Sequence, residues 1–476
     1  MKNSKLVTIL SVLKPTDIKQ LLKFLSSPYF NTDTVVTNLY ILLSKQHPYF
    51  NEKAVNKEKL FYKLFPKTNY NDLKMRRLAS KLLKLIEQFI SLENYQQKKL
   101  AQQISLLDFY EEHALIKPFK SSLQTGLELL EKSDFKDANY YHYAFLLNEK
   151  ERISLLLDKK ESRNQKVSKN YQQLINKLET QHLIEKLQIC CSVYSQNKII
   201  PYNFTVFLLP EMIEQLANSV FLQIPLIKLY YTALLMLKHS NKVLYFDALQ
   251  QQLAQYASSL PTRDLNVLYV FAKNYCIQQI NQGKDSFFQQ LFELFNDELQ
   301  HFVQDRQQGI TATGCKNIIS TALRLGKLEW AENFIHHYKT FIVAEYREDV
   351  FRYNLAHLYL YKKNYSEAIS LLYQSEFKDI FFKIDAKKMR LQIYHELDEI
   401  DARDNLINSL RVFMHSKKEL ITPIHLKKTR NFLNFLTAIS KIIPKDKIAI
   451  NKLKNELQNT ASVAEKRWLQ IQIEKL

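Results

Sequence analysis

Apolar side chains recur at three- and four-residue spacing along almost the whole chain, which is the pattern of amphipathic α-helices that pack on one another. A long helix of this kind is predicted from Leu73 to Gln97. Its apolar face consists of Leu78, Leu82, Leu85, Ile86, Phe89 and Ile90. Four prolines interrupt the pattern earlier in the chain, at Pro15, Pro28, Pro48 and Pro66. Because proline lacks a backbone donor and fixes φ, these positions mark the limits of shorter helices. The pattern predicts an all-α protein.

One helical hairpin is predicted over Phe351–Leu372. Its first helix presents an apolar face formed by Leu355, Ala356 and Tyr359. A polar turn follows, and Ala368 and Leu372 line the second helix. Two further hairpins follow the same plan, and their small residues at the position of Ala368 are Ala331 and Ala402. The three alanines are 37 and 34 residues apart, close to the period of about 34 residues expected of repeated helical pairs.

These residues resemble the tetratricopeptide repeat, in which a small residue lets two helices approach closely. The likeness is best over residues 310–415 and looser over 200–310. Arg352 and Ile380 stand where the family usually has tryptophan and proline. The resemblance implies a superhelix of antiparallel helix pairs, a TPR-like α-solenoid, with a concave face that holds a peptide or a partner helix.

Changes in the pattern divide the chain into four predicted segments. Residues 1–100 form a basic N-terminal unit of four helices, and residues 101–200 form long helices and hairpins. Residues 201–440 carry the TPR-like repeats, and residues 441–476 form capping helices. Three prolines mark the passage from the second segment to the third: Pro201, Pro210 and Pro225.

Only 5 of the 476 residues are glycine, and neither GxGxxG nor the GxxxxGK loop can be drawn from them. The 4 cysteines have no CxxC or Cys/His metal spacing, which favours a reducing compartment. No HExxH, GxSxG or SxxK motif occurs. Glu179/His182 and Glu298/His301 have the Glu-x-x-His spacing of di-iron sites, but chance explains two such pairs. The sequence therefore predicts no catalytic residue, cofactor or metal site, and an α-helical metalloenzyme is the third hypothesis.

The formal net charge of +19 is concentrated at the two ends of the sequence. Residues 1–100 have 18 Lys and Arg against 7 Asp and Glu, residues 401–476 have 15 against 7, and the part between them is neutral. Four cations recur along one predicted edge of the long N-terminal helix: Lys74, Arg77, Lys81 and Lys84. Such an edge suits an anionic partner such as a nucleic acid or an acidic helix, although an ordinary solvated surface has the same pattern.

The sequence predicts a non-enzymatic scaffold or adaptor that binds another protein, with nucleic-acid association through the basic N-terminal unit as the second hypothesis. Five residues between the core positions of the repeat helices are predicted to be exposed and to contact the partner: Tyr353, Asn354, His357, Tyr361 and Arg390. A small-molecule substrate is not expected. The first residues lack a signal-peptide cleavage site, and no apolar run is long enough for a membrane span, so we expect a cytoplasmic protein.

Overall fold

The computed structural model describes residues 3–157, 165–197, 204–302, 310–342, 346–375, 377–443 and 445–476. These residues form 23 α-helices and four short 3-10 helices, and their only β-type pairing is one isolated bridge between Ile310 and Ile342. The all-α prediction is confirmed. No helix in the described ranges combines the length and the apolarity needed to cross a bilayer. Pro201, one of the predicted boundary prolines, lies outside the described residues.

The chain divides into two compact units. Unit 1 comprises Met1–Leu234 and Ser258–Pro261, and unit 2 comprises Leu235–Ala257 and Thr262–Leu476. The division into four segments that the sequence suggests stays a prediction.

The described part of unit 1 contains ten helices and most of an eleventh: α1 (Lys5–Val12), α2 (Pro15–Ser26), α3 (Thr34–Ser44), α4 (Lys57–Leu64), α5 (Asp72–Gln97), α6 (Lys99–Glu112), α7 (Ile116–Glu131), α8 (Ala138–Leu157), α9 (Gln165–Asn197), α10 (Leu209–Leu216) and α11 (Pro225–Lys238). A 3-10 helix, Val220–Gln223, precedes α11.

Helices α1 to α5 share one hydrophobic core. The predicted apolar face of α5 is buried in it, with Ile90 only partly covered. This shared core joins five helices, whereas the sequence predicted four for the N-terminal segment 1–100. The difference arises because the apolar run after Ser4 forms a helix of its own. Ser4 caps α1 by accepting a hydrogen bond from the Val7 amide, and Pro15 starts α2.

Unit 2 contains the remaining helices: α12 (Leu244–Tyr256), α13 (Thr262–Asn281), α14 (Phe287–Phe302), α15 (Ala312–Arg324), α16 (Leu328–His337), α17 (Arg347–Tyr361), α18 (Tyr365–Tyr373), α19 (Ile380–Glu396), α20 (Ile400–Ser416), α21 (Pro423–Ile439), α22 (Lys447–Asn459) and α23 (Lys466–Lys475). Unit 2 also contains the 3-10 helices Lys339–Phe341 and Lys418–Leu420, and a further 3-10 helix, Ala257–Ser259, spans the boundary between the two units.

The helices of unit 2 pack as a series of pairs. Each helix from α12 to α21 contacts the next, and α17 also contacts α15 and α19, the first helices of the neighbouring pairs. Ala331 and Ala368 are fully buried at the predicted close approaches, and Ala402 is partly buried. This packing is that of a helical repeat fold, in which each pair covers the apolar side of its neighbour.

Three successive hairpin turns have the same backbone conformation. Gly326, Lys363 and Asp398 have φ values of 72°, 61° and 55°, and each directly follows the residue that caps the first helix of its pair. In each turn, the backbone N–H of the residue after the left-handed position donates a hydrogen bond to the carbonyl five residues before it, at 2.9–3.0 Å. This bond satisfies a carbonyl in the last turn of the helix. Two of the three left-handed positions are therefore occupied by residues other than glycine.

Helix α23 is fixed against α19 through one carboxylate. Glu396, the last residue of α19, accepts hydrogen bonds from three side chains of α23: Trp468 Nε1 at 3.1 Å, Gln472 Nε2 at 2.6 Å and Lys475 Nζ at 2.9 Å. Leu469 and Ile473, on the same helix, are fully buried in a core shared with α21.

Candidate functional site

Two of the five residues predicted to contact a partner are buried. Tyr353 is 4% exposed, and its ring packs edge-on against Phe382 with the ring centroids 4.8 Å apart. Asn354 is 1% exposed, and its Nδ2 donates to the carbonyl of Val350 at 2.8 Å. Both belong to α17, which contacts α15, α16, α18 and α19 and so has little free surface. The prediction that these two side chains are exposed is wrong.

His357 and Tyr361 lie further along the same helix. His357 is partly buried, and its ring lies between those of Tyr353 and Tyr361, with centroids at 6.2 and 5.4 Å. Burial lowers the pKa of His357 to about 4, although Glu465 and Asp385 act in the opposite direction. The imidazole is therefore neutral at pH 7. Tyr361 is 37% exposed at the end of the helix.

Arg390 is the predicted residue that opens into a cavity. Its guanidinium lies 4.0 Å from the centroid of the Tyr373 ring, and Nη2 donates to the hydroxyl oxygens of Tyr373 at 2.5 Å and Tyr394 at 3.3 Å. The two hydroxyls are themselves 2.8 Å apart. These contacts fix the direction of the guanidinium and involve no carboxylate, so its positive charge is not neutralised there.

The cavity, here called the basic cavity, has a volume of about 450 Å³ and lies between α18, the residues that follow it, and α19. Its lining is Leu372, Ser375, Phe377, Lys378, Lys383, Ala386, Lys387 and Arg390. Four of these eight side chains are cationic, and none of the described lining residues is acidic. Three of the cations, Lys383, Lys387 and Arg390, lie on one face of α19 at helical spacing.

The three cations that α19 contributes to the basic cavity, Lys383, Lys387 and Arg390, form no ion pair with a described carboxylate of that helix. Lys387 donates to Ser409 Oγ at 3.3 Å, and within the described ranges neither Lys387 nor Lys383 forms an ion pair. Burial, followed by the positive charge of Arg390, lowers the pKa of Lys387. Cations that line one partly enclosed space together raise the local concentration of an anion.

A second cavity, here called the apolar cavity, shares Phe377 and Lys378 with the lining of the basic cavity. It has a volume of about 480 Å³. Apolar and aromatic side chains form most of its wall: Ile342, Tyr346, Val350, Phe377 and Phe382. Its lining contains two carboxylates, Asp349 and Asp379, against the one cation Lys378, so its formal charge is negative where that of the basic cavity is positive.

The other face of α19 also has charged side chains, and these are paired. Asp385 lies 2.8 Å from Lys316 Nζ and 2.8 Å from Lys388 Nζ, and Lys388 lies 3.6 Å from Glu465. Burial alone would raise the pKa of Asp385, but Lys388 and Lys316 outweigh it and hold that pKa well below its usual range. This group of four residues, here called the ionic cluster, joins α15 and α19 to the start of α23.

The four cations predicted along one edge of α5 are all exposed in unit 1. Lys74 Nζ lies 3.7 Å from the centroid of the Phe65 ring, and Lys81 forms an ion pair with Asp33 at 2.8 Å. Arg77 and Lys84 have no ion pair among the described residues. The predicted edge therefore exists, and two of its four cations already make contacts within the protein.

One of the two Glu-x-x-His sequences has a structural partner. Glu298 lies 2.5 Å from Lys273 Nζ, and both side chains are largely buried. Across the described parts of the chain, no group of three His, Cys, Asp or Glu side chains is arranged to hold a metal ion.

Comparison with protein-family models, curated proteins and solved structures finds no match to this chain. Three residues that line the basic cavity are absent from the site residues predicted from the sequence: Lys383, Lys387 and Phe377. Their spacing with Arg390 was visible in the sequence as a cationic face of one helix, but the residues that close the cavity come from α18 and the turn after it.

Proposed function

We propose that the protein is a non-enzymatic scaffold of tetratricopeptide-like helical pairs that binds an acidic segment of another protein in the basic cavity. One observation carries this proposal: Lys383, Lys387 and Arg390 converge on a cavity whose described lining contains no carboxylate. An acidic ligand would pair with these three cations.

The energetics favour a ligand that neutralises several charges at once. Cations held close together in a partly desolvated site repel one another, and a complementary partner removes that repulsion and speeds association. Leu372 and Ala386 supply apolar wall beside the cations. A combination of apolar surface and charged hydrogen-bond donors is common in protein–protein recognition.

The contacts on both faces of α19 support a preorganised binding site. Arg390 is held by the hydroxyls of Tyr373 and Tyr394, so its orientation is set before any ligand arrives. The ionic cluster on the far side of α19 connects that helix to α15 and to the start of α23. A preorganised site loses less conformational entropy on binding.

The test compares two double charge reversals in the full-length protein. In the first, Lys383→Glu and Lys387→Glu reverse two charges of the basic cavity. The matched control, Lys447→Glu and Lys452→Glu, reverses two exposed lysines of α22. Each protein is used for affinity capture from its native cells after nuclease treatment, and the captured partner is then measured by direct binding.

The proposal expects a partner that the unmodified protein and the α22 control retain and that the cavity variant binds about 10-fold or more weakly. Binding to the unmodified protein should also weaken as salt is raised. Equal binding of the partner to both double variants would refute the basic cavity as the site.

A second candidate function rests on the exposed edge of α5. Because Arg77 and Lys84 lack ion pairs among the described residues, the edge can lie along a phosphate backbone. We expect the unmodified protein to bind duplex DNA or RNA at low salt, and Arg77→Glu with Lys84→Glu to remove that binding. Absence of nucleic-acid binding at low salt would rule this candidate out.

A further inference from the structure

The basic cavity and the apolar cavity are two parts of one surface. Phe377 and Lys378 line both, with their side chains between α18 and the start of α19. A ligand that crosses these two residues contacts both cavities. The surface is therefore long enough for more than one side chain of an extended segment.

The two parts select for different side chains. The apolar cavity is walled mainly by Ile342, Tyr346 and Phe382 and has room for one large apolar side chain. Its lining contains two carboxylates, Asp349 and Asp379, against one cation, Lys378, so an acidic residue placed there meets a net negative charge. The basic cavity, with its cations, accepts that acidic residue. A ligand with acidic residues on one side of an apolar residue therefore fits, whereas one with acidic residues on both sides meets the two aspartates.

We infer that this surface binds an extended protein segment in which one large apolar side chain enters the apolar cavity and acidic side chains on one side of it enter the basic cavity. This inference rests on the proposed function and adds the sequence type of the ligand. The charge difference between the two cavities fixes the direction of the segment across Phe377 and Lys378.

The exposure of Tyr346 provides a direct probe of the apolar cavity. Tyr346 is 39% exposed and lines the cavity just before α17, whereas Tyr62, on α4, is 44% exposed and lies outside the lining of both cavities. Tyr346→Ala and Tyr62→Ala are therefore a matched pair, since both remove a similarly exposed tyrosine.

The experiment begins with selection of a displayed random-peptide library on the full-length protein. We expect the enriched sequences to combine a large apolar residue with two or more Asp or Glu residues on the same side of it. We expect no such enrichment on the Lys383→Glu, Lys387→Glu variant. Enriched sequences that lack either component, or a selection that enriches nothing, would overturn the inference.

Synthetic versions of one enriched peptide then separate the two cavities. Replacing its apolar residue by glycine should weaken binding about 10-fold or more. Tyr346→Ala should weaken binding several-fold, while Tyr62→Ala should leave it unchanged. Replacing its acidic residues by glutamine should remove the salt dependence.

The outcomes distinguish this inference from the function on which it rests. In one outcome, binding requires the acidic residues of the peptide but is unaffected by loss of its apolar residue or by Tyr346→Ala. This result contradicts the two-part surface and is consistent with the acidic-segment proposal. Peptides whose binding ignores both the acidic residues and the Lys383→Glu, Lys387→Glu change contradict both.

Discussion

The two charged faces of α19 differ in how their charges are balanced. On one face, Asp385 lies within 2.8 Å of both Lys316 and Lys388, so opposite charges meet inside the protein. On the other face, Lys383 and Lys387 approach Arg390 with no carboxylate among the described lining residues. One helix thus has a face whose charges pair with those of its neighbours and a face on which we propose that a ligand binds.

A charged residue that is paired inside the protein and one that is not are expected to affect stability differently when they are replaced. The removal of one member of a buried ion pair leaves the other members uncompensated, which destabilises the fold. The removal of a cation that only repels its neighbours has the opposite sign or no effect. Stability measurements can therefore distinguish the two faces even before a ligand is known.

The largest expected effect is that of Asp385→Asn. The change leaves Lys316 and Lys388 without their shared carboxylate, and we expect a loss of about 3 kcal/mol in the free energy of unfolding. Urea denaturation followed by circular dichroism measures it. The comparison variant is Lys387→Gln, on the opposite face, and a similar loss in that variant would contradict the division of the two faces.

A smaller effect is expected from acid through His357, which adjoins the ionic cluster. Its pKa of about 4 in the folded protein lies below its usual 6.5, so the unfolded chain takes up the proton first. Its contribution to stability is present above pH 6.5 and falls as the pH is lowered to 4, by about 2 kcal/mol.

The measurement is the free energy of unfolding at pH 7 and pH 4.5, with and without His357→Gln. Glu465 and Asp385 favour the protonated imidazole while Lys316 and Lys388 oppose it. Asp385 destabilises the fold in acid in the same direction, but at lower pH, because its own pKa is lowered. An unchanged pH dependence in the variant would show that His357 does not contribute.

The turn that ends α19 helps to hold this helix, and therefore both of its charged faces, in place. Two substitutions test whether it has the same backbone conformation as the turn that ends α15. Asp398 has φ of 55°, a conformation that disfavours residues with a Cβ atom, so Asp398→Gly should stabilise the protein by about 0.5 kcal/mol. Gly326→Ala, at the equivalent turn with no atom near the added Cβ, should destabilise it by about 1 kcal/mol. Thermal denaturation measures both, and equal signs would refute the shared turn geometry.

The smallest expected effect belongs to the basic face itself. Lys383→Gln with Lys387→Gln removes mutual repulsion with Arg390, and we expect a gain of about 0.5 kcal/mol in low salt that disappears in high salt. Parallel urea denaturations at the two salt concentrations measure the difference. A salt-independent loss would mean that these lysines have a structural role.

Most of the helices could be predicted from local signals in the sequence. Prolines and capping residues act within one turn of helix, so the limits of α5 agree with the predicted Leu73–Gln97 to within one residue, and α2 begins at Pro15. The regular spacing of Ala331, Ala368 and Ala402 likewise indicated close packing between paired helices. The apolar run after Ser4 was not recognised as a separate helix, because a short run resembles the start of the next one.

The candidate site could be predicted only in part, because its character depends on residues far apart in sequence. Asp385 lies between Lys383 and Lys387 in the sequence, but a step of two residues along a helix places it on the opposite face from both lysines. There it pairs with Lys316, 69 residues away. Tyr353 and Asn354 were misplaced for the same reason, since four helices surround α17.

The three hydrogen bonds that α23 donates to Glu396 also bear on the order of events during synthesis. Phe432 and Leu436 of α21 lie in the core that Leu469 and Ile473 complete, and α23 follows all of these partners in the sequence. While the ribosome is still producing α22, that part of the core is open to water. The nascent protein must therefore keep this apolar surface away from other chains until α23 emerges.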